Sequence, residues 1–163
     1  MYTLIFRFNC TNYISQQATG NLGPVVIQSL VSSGFNVSIL TRDASKSSTS
    51  GTKAIQTDYS EASLLEALKD QDAVVSTIGA LGTLAQIKLI DAAIVAGVRR
   101  YIPSDFAPNT PKLGEMEGVL PELYMRLKPK TIVIEHLKEQ AEANPKFSWT
   151  AVGSGPLLDW VRR

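Results

Sequence analysis

The stretch Gln17-Ala18-Thr19-Gly20-Asn21-Leu22-Gly23 decides how this 163-residue chain folds. Two glycines form a turn that leads directly into an amphipathic segment from Pro24 to Ser33. This layout suits a phosphate group, because a helix N-terminus exposes backbone N–H groups and glycines let the ligand approach. The full fingerprint has three glycines, and Gln17 stands where the first would be. The pattern is therefore typical of a nucleotide phosphate site or of a purely structural turn.

Strand-like and helix-like patterns alternate after this turn. Gly34 and Gly97 stand where two of the helices should end. The alternation predicts an α/β fold, a doubly wound and mostly parallel sheet of the Rossmann type. Short β-branched or apolar runs predict strands at 37–40, 53–57, 73–77, 100–102 and 149–152, and helical spacing of apolar residues predicts helices at 61–69, 84–95 and 131–143.

Composition limits the classes of function. The chain is 44% hydrophobic and 19% charged with a net charge of +1, so bulk electrostatics favour neither a nucleic acid nor an anionic membrane as partner. The single cysteine, Cys10, excludes an internal disulfide and fits a reducing compartment. No apolar run is long enough to span a bilayer, and the opening residues lack the basic region of a signal peptide. We expect a cytoplasmic protein that acts on a small molecule.

Arg42 stands where folds of this kind read the adenosine ribose of a dinucleotide. It ends a predicted strand, nineteen positions after Gly23. An acidic residue there accepts a hydrogen bond from the 2′-hydroxyl of NAD, whereas an arginine pairs with the 2′-phosphate of NADP. Arg42 therefore favours NADP as the cofactor, with Lys46 close enough to assist. Asp43 is the opposing observation, because Arg42 and Asp43 also fit a solvated ion pair on a loop.

Lys130 lies in phase with the apolar residues of the predicted helix that ends at Ala143. A lysine in this row, close to the helix N-terminus, would be partly desolvated and near the positive end of the helix dipole. Both effects lower its pKa and suit it to proton transfer. The alternative is a lysine that packs its stem along the row and keeps its ammonium in water. The apolar row consists of Val133, Ile134, Leu137 and Ala141.

Two further patterns have simpler interpretations. Tyr124 and Lys128 match the Tyr-x-x-x-Lys of classical short-chain dehydrogenases, but Pro129 ends the segment at once and Ser104 is too far upstream to be the usual partner serine. We interpret the match as chance. His136 is the sole histidine and has no second ligand four residues on, so we expect a structural role. The sequence contains no cluster of metal ligands, and we predict no metal site.

Several stretches together resemble the NmrA-like and isoflavone reductase-like family, most closely its fungal branch. They cover roughly residues 17–160, and the string from Tyr101 to Phe106 is the most specific. The resemblance implies an atypical short-chain dehydrogenase/reductase fold that binds NADP(H). The matching stretches are 18–23, 37–42, 72–79, 96–106 and 149–153.

The resemblance also implies roles for individual residues. The turn would hold the pyrophosphate, Arg42 the 2′-phosphate, and the strand end from Ser76 to Gly79, with Thr77 and Gly79, would lie along the cofactor. Lys130 falls on the position of the family's catalytic lysine. The implied activity is NADPH-dependent reduction of a small, aromatic or conjugated substrate. Two alternatives are an NAD(P)-sensing regulator that acts through a protein partner without turnover, and an inactive fragment of the reductase. The turn residues are Gln17, Ala18, Thr19, Gly20, Asn21, Leu22 and Gly23.

The two ends depart from the family pattern. Family members begin with an apolar strand and Gly-Ala-Thr-Gly, whereas residues 9–17 are mostly polar, which is unfavourable for a central strand. Family members also continue well past the position of Asp159 and Trp160. We therefore expect residues 1–16 to be an atypical segment and residues 17–163 to be a truncated NAD(P)-binding domain without the region that covers the substrate. Thr11-Asn12-Tyr13 followed by Ser15-Gln16 is hypothetically a translated intron, with its branch point and acceptor site read as codons.

Overall fold

The computed structural model describes residues 3–6, 12–16, 22–46, 50–106 and 117–154. Within these ranges, one sheet combines with four α-helices. The strands are β1 (Thr3–Phe6), β2 (Asn12–Gln16), β3 (Asn36–Thr41), β4 (Thr52–Gln56), β5 (Ala73–Ser76), β6 (Arg100–Ile102) and β7 (Ser148–Trp149). The helices are α1 (Gly23–Ser32), α2 (Glu61–Leu68), α3 (Ala85–Val95) and α4 (Pro121–Ala143).

The sheet confirms the predicted doubly wound, mostly parallel arrangement. Six strands lie in the order β4-β3-β2-β5-β6-β7, and each neighbouring pair is parallel. The chain moves outward from β2 to β3 and β4, then returns to place β5 on the other side of β2. This reversal of direction creates a crevice at the carboxyl ends of β2 and β5, where ligands bind in open α/β sheets.

Helices cover both faces of the sheet. The neighbouring residues Val74 and Val75 of β5 are both buried, but they belong to different apolar clusters, as expected when alternate side chains point to opposite faces. Val75 packs in the cluster that includes Ile27 of α1. Val74 packs in the larger cluster, which contains residues of α2, α3 and α4 such as Leu137. The strand that supports the crevice is therefore buried on both sides.

The N-terminal segments share one position in the sheet. β2 pairs with β3 on one side and reaches Val75 and Ser76 of β5 on the other. This polar stretch is thus placed as a central strand although its composition is unfavourable there, because backbone hydrogen bonds to two neighbours are available to any residue type other than proline. β1 runs antiparallel and registers with the same residues of β5, as well as with Ile39 of β3.

The structure also corrects the start of the last helix. α4 begins at Pro121 rather than at Thr131, and Pro129 lies inside it. A proline removes only one helical N–H group, and the first half of α4 has its own apolar contacts, where Leu127 packs with Leu123 and Tyr124. The predicted stops hold elsewhere, because Gly34 and Gly97 follow α1 and α3 with φ of +82° and +83°. Among the described residues, no helix is both long and apolar enough to cross a membrane.

Candidate functional site

The crevice brings the candidate residues to the carboxyl edge of the sheet. Because neighbouring parallel strands end at the same edge, the residues that follow them lie side by side. Arg42 follows β3 and Thr77 follows β5, on opposite sides of the crevice. Tyr59 comes shortly after β4, and Ser104 shortly after β6. The arrangement forms an edge that suits an extended ligand, with one cationic end at Arg42.

Residues 17–21 of the glycine turn lie outside the described residues. Of the seven predicted turn residues, the structure describes Leu22 and Gly23. Gly23 is the buried first residue of α1, and Leu22 at the N-cap provides no side-chain acceptor for the N–H groups of the first turn. These donors and the positive end of the helix dipole suit an anionic group.

Arg42 is exposed, and its guanidinium lies against an aromatic ring. The guanidinium carbon is 5.7 Å from the centroid of the Tyr59 ring, within the range of a cation–π contact. Asp43 bonds locally, because its Oδ1 accepts hydrogen bonds from the N–H of Ser45 at 3.0 Å and from its hydroxyl at 2.5 Å. The sequence predicted either a 2′-phosphate contact or an ion pair with Asp43 for Arg42, and not this contact with Tyr59. Lys46 ends a short 3-10 turn after Asp43, and its side chain lies outside the described part of the chain.

A buried polar network fixes the loop that follows β5. The hydroxyl of Ser104 donates to the Ile78 carbonyl at 2.8 Å, and the Ser104 N–H donates to Oε1 of Gln86 at 2.9 Å. The Gln86 amide in turn donates to the Thr83 carbonyl at 3.2 Å. Thr77 and Gly79 flank Ile78, Thr77 being buried and Gly79 exposed. The two predicted cofactor positions thus lie on a loop that is held by two strands and a helix.

Sequence reasoning did not identify Gln86. It is only 1% exposed and lies on α3 one turn before the buried Leu89 and Ile90. A polar residue in the apolar row of a helix indicates a buried hydrogen-bonding role, because an amide without partners is costly to bury. That pattern was available in the sequence.

Lys130 is half-buried on α4, at the start of the buried row formed by Val133, Ile134 and Leu137. Burial lowers the pKa of Lys130, and the negative charge of Asp105 opposes this effect. Asp105 is itself buried and follows Ser104 at the end of β6. The predicted direction of the pKa shift is confirmed. The predicted contribution of the helix dipole is wrong, since α4 begins at Pro121 and Lys130 lies beyond its first two turns.

Tyr124 and His136 make packing and structural contacts, as expected if the Tyr-x-x-x-Lys match is chance and His136 has a structural role. The Lys128 ammonium lies 5.5 Å from the centroid of the Tyr124 ring, so it faces the ring, and Tyr124 packs against Leu127. His136 Nε2 is 2.7 Å from Oδ1 of Asp91, a contact that joins α4 to α3. Within the described ranges, no three histidine, cysteine or acidic residues are grouped in a way that could hold a metal ion.

Comparison with known proteins agrees with this architecture. The model of the NmrA-like family matches residues 16–155. Oxidoreductase poxI of Penicillium oxalicum is 35% identical over 148 residues, which are 90% of this chain and 46% of that protein. Oxidoreductase aprR of Aspergillus flavus is 38% identical over 146 residues, 87% of this chain and 47% of that protein. The chain thus spans about half the length of the curated relatives it matches.

A solved structure extends the comparison to the fold. The binary complex of leucoanthocyanidin reductase with NADPH from Vitis vinifera aligns with a TM-score of 0.67 and 25% identity. The alignment covers 85% of this chain and 46% of that one. Since the family model spans the sheet from the last residue of β2 to beyond β7, and with it the crevice and α4, the chain belongs to the NmrA-like family.

Proposed function

We propose that this chain forms the NADP(H)-binding part of a reductase that transfers a hydride to a small, aromatic or conjugated substrate. The observation that carries the proposal is Arg42 at the carboxyl end of β3, beside the crevice at the change of strand order. Two fungal relatives are named oxidoreductases, and the Vitis vinifera reductase binds NADPH. These names support the class of reaction.

The residues at the crevice fit a dinucleotide with a 2′-phosphate. The N-terminus of α1 would receive the pyrophosphate through its N–H groups and its dipole. The Arg42 guanidinium would pair with the 2′-phosphate, for which its planar set of N–H donors is suited. The loop that carries Thr77 and Gly79 would lie along the nicotinamide half. The Asp43 carboxylate is engaged locally, since its Oδ1 accepts two hydrogen bonds from Ser45.

The chemistry divides between the cofactor and Lys130. When bound, the nicotinamide supplies a hydride, that is, two electrons and one proton, to a carbon of the substrate. The reduced substrate then needs one further proton at its oxygen or at a conjugated carbon. Lys130 would supply it, since burial lowers the pKa of its ammonium and makes the proton easier to release. The charge of Asp105 opposes this effect and favours the protonated form, in which Lys130 can act as the donor.

A binding comparison tests the cofactor assignment. We expect Arg42→Ala to weaken NADPH binding about 10- to 100-fold, the loss of hydrogen bonds between charged partners, and to change NADH binding less than about 2-fold. Titration calorimetry with both cofactors measures the two affinities. An equal loss for NADPH and NADH would refute the phosphate role of Arg42.

A turnover comparison tests the enzyme assignment. Wild-type protein is incubated with NADPH and a panel of aromatic carbonyls and enones, and NADPH consumption is followed by absorbance. We expect Lys130→Met to remove turnover while its affinity for NADPH stays within about 2-fold of wild type. Comparable affinities for NAD and NADP, with no NADPH consumed on any substrate, would instead favour a dinucleotide-sensing regulator. A clear preference for NADPH without consumption would favour an inactive fragment of the reductase.

A further inference from the structure

We propose that Tyr59 is a positioning residue that sets the preference for NADP over NAD by holding the Arg42 guanidinium where the 2′-phosphate binds. The inference rests on the proposed NADP-binding function and extends it to a residue that never touches the reacting atoms. It is carried by the contact between Arg42 and the Tyr59 ring and by the hydrogen bonds that hold the Tyr59 backbone.

The pairing of two strands brings the residues together. β3 and β4 are parallel, and Thr41 registers with Gln56 at their carboxyl ends. The N–H of Thr57 donates to the Thr41 carbonyl at 2.9 Å and extends the pairing by one residue. Arg42 directly follows Thr41, and Tyr59 follows Thr57 by two residues, so both lie just beyond this last bond. Their contact is therefore a consequence of strand register.

The Tyr59 backbone is held in an unusual conformation. Its φ is +64°, in the left-handed region that bulky side chains rarely adopt. The Tyr59 N–H donates to Oγ1 of Thr57 at 3.0 Å, and the Ser63 hydroxyl also donates to this oxygen, at 2.8 Å. Thr57 is only 2% exposed, so these hydrogen bonds are made to a buried oxygen. The Tyr59 hydroxyl points to the Leu40 carbonyl oxygen, 3.5 Å away.

A fixed ring has a direct effect on phosphate recognition. An exposed arginine loses much rotamer freedom when it binds a ligand, and this loss weakens binding. The ring face restricts the guanidinium beforehand, while the N–H donors at the edge of the guanidinium plane stay available for phosphate oxygens. NADPH benefits from this restriction and NADH does not, because NADH has no 2′-phosphate. Tyr59 should therefore affect the ratio of the two affinities.

Two substitutions separate the ring from the backbone. Tyr59→Asn removes the ring but keeps a residue type that tolerates positive φ, and Tyr59→Phe keeps the ring. We expect Tyr59→Asn to weaken NADPH binding about 2- to 5-fold with NADH binding unchanged, and Tyr59→Phe to bind both cofactors like wild type. Calorimetric titrations with NADPH and NADH measure the affinities, and thermal unfolding without cofactor verifies that each variant is folded.

The Arg42→Ala background distinguishes the two proposals. If Tyr59 acts through Arg42, adding Tyr59→Asn to Arg42→Ala should weaken NADPH binding no further. An additional loss there, or equal losses for NADPH and NADH in the single variant, would overturn the role of Tyr59. A wild-type preference for NADPH that Arg42→Ala removes and Tyr59→Asn leaves intact would refute this inference alone. No wild-type preference for NADPH would refute the proposed function and this inference with it.

Discussion

On one side of the crevice, β5 and β6 pair in a single parallel register, and the loops after them are tied by Ser104 to Ile78 and Gln86. On the other side, β1 and β2 both register with the same edge of β5, where Val75 faces Leu4 in one pairing and Ser15 in the other. A strand has only two hydrogen-bonding edges, and β6 occupies one of them. Residues 3–6 and 12–16 therefore cannot both pair fully with β5.

The difference shows what determines a central strand. A parallel strand in the middle of such a sheet is buried on both faces and is normally a continuous apolar run. Residues 3–6 read Thr-Leu-Ile-Phe and satisfy this requirement, whereas residues 12–16 read Asn-Tyr-Ile-Ser-Gln. The direction favours the second segment, since only β2 is parallel and leads into α1. β1 thus has the apolar composition of a central strand, whereas β2 has the parallel direction.

The largest predicted effect is the difference in unfolding free energy between two leucine substitutions, one on each side of the crevice. Leu137 is fully buried in the large cluster, and Leu137→Ala should lower the free energy of unfolding by about 3 kcal/mol through the cavity it leaves. Leu4→Ala should cost less than about 1 kcal/mol, because residues 12–16 can hold the shared position. Urea unfolding of both variants measures the difference. Equal costs would mean that β1 is as firmly placed as α4.

A deletion should resolve the competition. Removal of residues 7–16 together with Gln17→Gly joins Phe6 directly to the glycine turn, so the apolar segment acquires the direction of β2. We expect the free energy of unfolding to rise by about 2 kcal/mol and the melting temperature by roughly 4–8 °C. Calorimetry of the variant without cofactor measures both. A lower melting temperature would contradict the expectation that the polar stretch before the turn is unfavourable for a central strand.

Gln17→Gly in the full chain is the matched control for this deletion. The tight turn favours a residue without Cβ, so this variant should bind NADPH more tightly while its melting temperature changes little. If NADPH affinity stays the same, Gln17 does not limit the turn.

A smaller effect should come from the network on the ordered side. Ser104→Ala removes a buried donor from the Ile78 carbonyl and should cost about 1–2 kcal/mol of unfolding free energy. Ser148 is the control, since it also donates to a carbonyl, that of Arg99 at 3.0 Å, but is exposed. Ser148→Ala should cost less than about 0.5 kcal/mol. Equal costs would show that burial of the Ser104 network does not stabilise this side.

The smallest effect concerns Lys130 and depends on pH. The folded chain lowers the pKa of Lys130 below its ordinary 10.5, so the unfolded chain binds more protons and unfolding free energy rises as pH approaches 10.5. Lys130→Met lacks this dependence and should be more stable than wild type at neutral pH, by less than about 1 kcal/mol since the lysine is half-buried. The difference should shrink at alkaline pH. Lys138→Met, at an exposed position of the same helix, is the control. If the difference in unfolding free energy between Lys130→Met and wild type widens as pH rises, burial of Lys130 is not the cause.

Sequence patterns correctly predicted the strands, caps and helix ends that are determined by residues close together in the chain. The apolar run at 73–77 became β5, Ser60 caps α2 through the Ser63 N–H, and Gly34 and Gly97 end their helices. The relation of Arg42 to Tyr59 was missed because it depends on the register of β3 against β4. The pairing of both β1 and β2 with β5 was missed for the same reason. It depends on strand register, which the composition of each segment does not reveal.

The proline inside α4 has a further consequence for motion. Pro129 has no N–H group, so the Met125 carbonyl lacks its usual intrahelical donor and the two halves of the helix are joined by one bond fewer. The first half rests on the small Leu127 cluster, whereas the second half packs into the large core. Local opening can thus release residues 121–128 before the rest, and amide hydrogens there should exchange with solvent sooner than those of 133–141. Lys130 lies immediately after this boundary, at the start of the half that packs into the large core.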